Sequence, residues 1–260
     1  MTTRSPRAQR LFVVGVPVDV ATFDSLLAQI EEWMARGGRA RQICTVSPEF
    51  VMIAQDDPAF MRVLHEADLC VADGVGLLLA ARLLGHRLPE RVTGSDGVPL
   101  IARRAAARGW KLFLLGAAPG VAERAAARLV AENPDLLVAG TYAGSPSPDE
   151  EEDIVARVNA SGADILLVAY GAPRQDVWIA RNRDRLSVSV AMGVGGTFDF
   201  IAGVVPRAPR WMRRLALEWL YRLVRQPWRW RRMLRLPRCV GAVLTHRERP
   251  LRRTQGDADR

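Results

Sequence analysis

The sequence predicts an α/β fold: a Rossmann-like parallel sheet flanked by helices, followed by a basic C-terminal helical appendage. Three observations lead there. From about residue 11 to residue 204, short apolar runs alternate in strict turn with amphipathic stretches, the pattern of a parallel sheet with crossover helices. Several of these runs end in glycine or carboxylate turns, at the strand ends where open parallel sheets bind ligands. After residue 205 the composition changes, with Pro206, Pro209, Pro227 and Pro237 punctuating an arginine- and tryptophan-rich segment. With 49% hydrophobic and 25% charged residues in 260, the chain can bury a full core and has the composition of a folded globular protein, for which disorder is not the default.

In chain order, a strand is predicted near Leu11 to Val16, then a helix from Phe23 to about Ala35 with Thr22 as N-cap. The apolar run from Gln42 to Val46 reaches Ser47 and Pro48. Proline suits the first position of a helix, so Thr45 sits at a strand end. Asp57 and Pro58 open another helix to about Glu66. The run Leu69 to Ala72 then delivers Asp73 to a turn with Gly74 and Gly76, before a helix near Val75. Asp73 has two readings: it caps that helix, or it faces a ligand beyond the strand.

After Asp96 a helix runs to Arg108, followed by a strand from Lys111 to Gly116 and a small-residue turn from Ala117 to Gly120. That turn either faces a phosphate or is a tight connection; GAAPG lacks the GxGxxG spacing. A helix to about Glu132, a strand from Leu136 to Tyr142, and an acidic helix start at Ser147 to Asp153 running on to Asn159 continue the alternation. The strand Ile165 to Ala169 leads to Gly171, and Gln175 falls in the next helix's first turn, facing either a ligand or solvent. The run Val188 to Met192 ends in Gly193, Gly195 and Gly196, which favour close approach of backbone to a ligand. A nicotinamide fingerprint would need glycine at 198, where Phe198 stands.

The charge is uneven. The whole chain carries +9, but residues 207 to 238 hold eleven arginines against the single acid Glu218, leaving the body slightly acidic. On a helical wheel Met212, Leu215, Trp219 and Leu223 gather on one side, with Arg210, Arg214, Arg225 and Tyr221 on the other. Such a segment suits an anionic membrane surface. A packed helix with a solvated basic face and a nucleic-acid surface compete with that reading, and no nucleic-acid partner is expected. Self-association is a further way to cover the tryptophans. The predicted organisation is a core over 1–204, an appendage over 205–238 and a flexible tail over 239–260.

Cys44, Cys70 and Cys239 lack ligand spacing and read as buried thiols of a reducing compartment. His65, His86 and His246 are isolated, and the one Asp-x-Asp, Asp257 with Asp259, lies in the terminal stretch, so no metal site is expected. The N-terminal stretch reads as neither a signal peptide nor a membrane span, which points to the cytoplasm.

Five motifs in order, VADGVG, ERVTGSD, GAPRQDVW, GVGGTFDF and the tail beginning VPRAPRWMRRLALEWLYRLVRQPWRWRRM, resemble the WecG/TagA/CpsF family of bacterial glycosyltransferases. The likeness runs from about Phe12 to Arg235. It implies inverting transfer of N-acetylmannosamine or a related hexose from a UDP donor to a polyprenyl-diphosphate-linked acceptor in wall or surface polysaccharide synthesis. Neither cofactor nor metal is implied, and the enzyme would sit peripherally on the inner face of the plasma membrane. The resemblance makes Asp73 the catalytic base and places substrate-binding roles on Thr45, Arg91 and Gln175. Asp199 matches a position that contacts nucleotide or fixes its own loop. The tail would close over the site with Arg222, Arg229 and Arg232. Ser47 stands where family members often carry asparagine, which predicts an altered donor or acceptor preference. The alternatives are a nucleotide-dependent dehydrogenase on the same sheet, and a non-enzymatic module binding anionic lipid or nucleic acid through the tail.

Overall fold

A computed structural model describes residues 9–209, 211–212, 218–225 and 235–245 of the chain. Its centre is a six-stranded parallel sheet built from β3 (Arg41–Val46), β4 (Leu69–Ala72), β5 (Lys111–Gly116), β6 (Leu137–Tyr142), β7 (Ile165–Ala169) and β8 (Val190–Gly193), in the order β4-β3-β8-β7-β5-β6. The strands are short apolar runs because both faces of the sheet are covered. On one face lie α1 (Phe23–Arg36), α5 (Gly94–Arg108), α6 (Val121–Glu132) and α9 (Thr197–Ile201), packed on Ile43, Val71, Leu114, Leu167 and Met192. On the other lie α2 (Pro48–Asp56), α3 (Pro58–Glu66), α4 (Val75–Leu83), α7 (Glu151–Ala160) and α8 (Arg174–Asn182), packed on Cys44, Cys70, Leu115, Val168 and Ala191. Leu114 and Leu167 are fully buried, each worth about 2 kcal/mol of transfer free energy.

Sequence signals set most element boundaries. Thr22 caps α1 in a capping box with Ser25, and Ser47 and Asp57 cap α2 and α3, each followed by proline at the first helical position. α5 starts earlier than expected, at Gly94, because Thr93 is its N-cap: the Thr93 hydroxyl accepts from the Asp96 N–H at 3.1 Å.

One expectation is corrected. The single strand expected from Leu11 to Val16 is an antiparallel hairpin of β1 (Arg10–Val13) and β2 (Val16–Asp19). Val14 (φ 51°) and Gly15 (φ 79°) form the two-residue turn, whose positive φ values match the strand twist. A β-branched residue at positive φ is rare, so an unbroken apolar run hides this turn. The hairpin docks beside β4, where Asp19 accepts from the Cys70 N–H at 2.7 Å while paired to Arg10 at 2.7 Å.

Beyond α9 the chain has a helix over Glu218–Arg225 and a terminal helix over Arg235–Thr245. Of the stretch 239–260 expected to be flexible, residues 239–245 belong to this terminal helix and bury Cys239 and Val243 against the core beside α2 and α4; residues 246–260 lie outside the described residues.

Candidate active site

A cavity of about 690 Å³ opens at the carboxyl ends of four neighbouring strands, β4, β3, β8 and β7. Each contributes residues at or just after its last sheet position, the arrangement by which parallel sheets place side chains around a ligand. From β4 comes Asp73, half-buried, with its N–H donating to the Val46 carbonyl at 2.6 Å. The residue that caps α4 is Gly74 (φ 112°), so Asp73 stands before the cap and on the cavity wall. From β3 come Thr45 and Ser47. The buried Thr45 hydroxyl donates to the Gly193 carbonyl at 3.0 Å, which ties β3 to β8, and Ser47 lines the cavity while capping α2.

Gln175 is 1% exposed, which removes the solvent-facing reading. It lines the cavity, and its side-chain carbonyl accepts from the Gly171 N–H at 3.1 Å and the Gly195 N–H at 2.9 Å. One amide thus joins the loops after β7 and β8. Gly193 is set one step behind the wall: a Cβ there would lie 2.6 Å from Gln175 Nε2 and 2.7 Å from Asp176 Oδ1, so glycine is what lets these side chains approach. Gly171, Gly195, Gly196 and Asp199 all line the cavity. Beneath it Asp176 is buried, which pushes its carboxyl up to about 7; the Cys44 thiol and the Gln175 side chain pull partly the other way.

Arg91 reaches the wall from the segment between α4 and α5, with its guanidinium 3.8 Å from Asp96. Asp96 is more tightly held by Arg207, at 2.9 Å, and by the Thr93 hydroxyl, also at 2.9 Å. Burial by itself would raise the Asp96 carboxyl; Arg207, Thr93 and Arg91 outweigh it and hold the group below its usual range. Sequence reasoning missed this knot, and it missed Glu49, a third carboxylate on the wall beside Asp73 and Asp199. The TGSD motif supplied Thr93 and Asp96, but nothing local signals a partner more than a hundred residues away. The turn at Ala117 to Gly120 is absent from the wall and is a tight connection. Phe198 is fully buried in the core. Among the described residues no group of three or more His, Cys, Asp or Glu could hold a metal ion. Arg222 lies in the helix Glu218–Arg225; its side chain, and Arg229 and Arg232, lie outside the described residues.

The sequence model of the "Glycosyl transferase WecG/TagA/CpsF family" matches residues 11–253. The chain belongs to this family. Its WecG/TagA/CpsF relatives include an N-acetylglucosaminyldiphosphoundecaprenol N-acetyl-beta-D-mannosaminyltransferase of Bacillus spizizenii (strain ATCC 23059 / NRRL B-14472 / W23), 34% identical over 222 residues, covering 85% of this chain and 86% of the relative. A protein of the same name from Bacillus subtilis (strain 168) is 35% identical over 203 residues, 78% of either chain. A glycosyltransferase role follows for this WecG/TagA/CpsF member. No helix among the described residues is long and apolar enough to cross a membrane.

Proposed function

We propose that this protein transfers N-acetylmannosamine, or a closely related hexose, from a UDP donor to a polyprenyl-diphosphate-linked sugar, with inversion and with Asp73 as general base. The observation that carries the reading is the convergence of Asp73, Thr45, Arg91, Gln175 and Asp199 on one cavity at the carboxyl edge of the sheet. In an inverting displacement the acceptor hydroxyl oxygen attacks the anomeric carbon as the bond from that carbon to the UDP oxygen breaks. The hydroxyl proton passes to the Asp73 carboxylate, and UDP departs with an added negative charge. A positioned base contributes about 10²–10⁴-fold to such a step. Stabilising the departing diphosphate calls for cationic donors, and Arg91 on the wall supplies one in the fork geometry that phosphate favours. In this reading arginine takes the role that a metal ion fills elsewhere, with Arg222, Arg229 and Arg232 completing the set as the appendage closes. The basic, tryptophan-rich segment holds the enzyme to the anionic inner face of the membrane.

The test is UDP release from a panel of UDP-sugars, with and without a lipid-diphosphate-linked acceptor. Acceptor-dependent release that falls about 10²–10⁴-fold in Asp73→Asn, with UDP affinity unchanged, is expected. Equal turnover by the variant would remove Asp73 from the chemistry.

A further inference from the structure

α4 carries Asp73 just before its cap and buries Leu77, Ala80 and Ala81, yet Leu79 and Leu83, one turn apart, are 54% and 59% exposed. The terminal helix Arg235–Thr245 repeats the pattern. It buries Cys239 and Val243 and leaves Val240 and Leu244, again one turn apart, 50% and 64% exposed. The two helices touch, and Leu79, Leu83 and Val240 all belong to the wall of the candidate active-site cavity. Single exposed leucines are ordinary on a protein surface; paired rows on adjoining helices at the mouth of a cavity are not. Around Asp73, Thr45, Arg91 and Gln175 the cavity is polar, while its lip on this side is aliphatic, with Arg82 and Arg238 exposed beside it. That sequence of surfaces complements an amphiphile with an anionic sugar-diphosphate head and an apolar chain.

We propose that Leu79, Leu83, Val240 and Leu244 form a binding site for the first isoprene units of the acceptor's prenyl chain, at the point where that chain leaves the cavity. The inference rests on the lipid-linked acceptor of the proposed function and adds a subsite to it. The site grips the chain itself, apart from any contact that the basic appendage makes with a bilayer. Because both helices flank the mouth, a seated chain fixes the direction from which the diphosphate enters, and the apolar contact adds affinity to each buried methylene.

The experiment titrates the full-length protein, without donor, against N-acetylglucosaminyl-diphospho-prenols bearing prenyl, geranylgeranyl or undecaprenyl chains, in detergent and free of bilayer. Wild type is compared with Leu79→Asn/Leu83→Asn, and with Leu137→Asn, which changes an exposed leucine of the distant edge strand β6. Wild type and Leu137→Asn should bind the geranylgeranyl and undecaprenyl acceptors more tightly than the prenyl one. The double variant should lose on the order of tenfold in affinity for the two longer acceptors and keep that for the shortest. Affinity independent of chain length in wild type, or a chain-length gain that survives in the double variant, would overturn the inference. So would a defect that is absent in detergent and appears only in a parallel titration with anionic vesicles, which would assign the lip to bilayer lipid. Turnover on the shortest acceptor with UDP-sugar, measured in parallel, reports separately on glycosyl transfer.

Discussion

The turns after β5 and β8 are alike in sequence and unlike in use. Each follows a buried apolar strand, each is rich in glycine and small residues, and each opens a helix. The β8 turn, Gly195 and Gly196, lies between the ends of β3 and β7 and lines the cavity. The β5 turn lies next to the edge strand β6 and lines none of it. Its glycines serve packing: a Cβ on Gly116 (φ 99°) would lie 2.9 Å from the Ala169 backbone, and Gly120 (φ 78°) is the left-handed cap of α6. A glycine turn therefore becomes a site through what the neighbouring strands deliver to it. Here β3 delivers Thr45 and Ser47, and β7 leads to Gln175.

That contrast can be broken or sharpened by substitution. After Asp73→Asn, the largest expected loss is in Gly193→Ala. A methyl there meets Gln175 and Asp176 at 2.6 and 2.7 Å, so stability should drop by about 1–3 kcal/mol in chemical denaturation, with turnover per folded molecule falling as the β8 turn shifts. Gln175→Ala leaves the Gly171 and Gly195 N–H groups without their shared acceptor; about 1–3 kcal/mol of stability should go, together with a higher KM for donor. Gln175→Glu, which keeps the acceptor oxygen, should restore part of both.

Asp176→Asn tests the floor of the site through pH. The folded carboxyl titrates near 7, above its unfolded value, so its contribution to stability is fully present below the unfolded pKa and is lost as pH rises through the folded one. Wild type should therefore lose stability between about pH 4 and pH 7, by a few kcal/mol at most. Denaturation midpoints of Asp176→Asn should lack that slope, and an identical slope in both proteins would mean that Asp176 does not cause it. The smallest effect belongs to the β5 side. Gly120→Ala meets no atom within 4 Å but keeps a left-handed φ, so it should cost about 1 kcal/mol and leave turnover per folded molecule unchanged. If it impaired turnover as much as Gly193→Ala, the distinction between the two turns would fail.

Most of the sheet was legible because buried strands and capped helices leave local marks: the apolar runs at β3, β4, β5 and β7, and Thr22, Ser47 and Asp57 with their prolines. The β1–β2 hairpin was not, since Val14 occupies a turn position that sequence patterns assign to glycine or asparagine. On the cavity wall, Asp73 and Thr45 could be placed from strand-end position, and Arg91 from the family resemblance alone. The hydroxyl of Thr45 on the Gly193 carbonyl and the Asp96–Arg207 pair join residues more than a hundred apart, and no periodicity records such a meeting. The exposed faces of α4 and the terminal helix were hidden for another reason. The apolar stretch after Asp73 is too uniform to mark which face of α4 is buried, and Leu79 and Leu83 lie on the exposed one.

The Asp19 carboxylate on the Cys70 N–H has a consequence for the solution behaviour of the chain. β4 is the outermost strand of the sheet on the side of Asp73, and an outermost strand offers its unpaired amides to any passing chain. Asp19, itself 3% exposed and clamped by Arg10, takes up one of those amides and sets the hairpin across the approach. A further strand could pair along β4 only by displacing the hairpin and the Asp19–Cys70 bond, so the strand leading to Asp73 carries its own guard against edge-to-edge pairing.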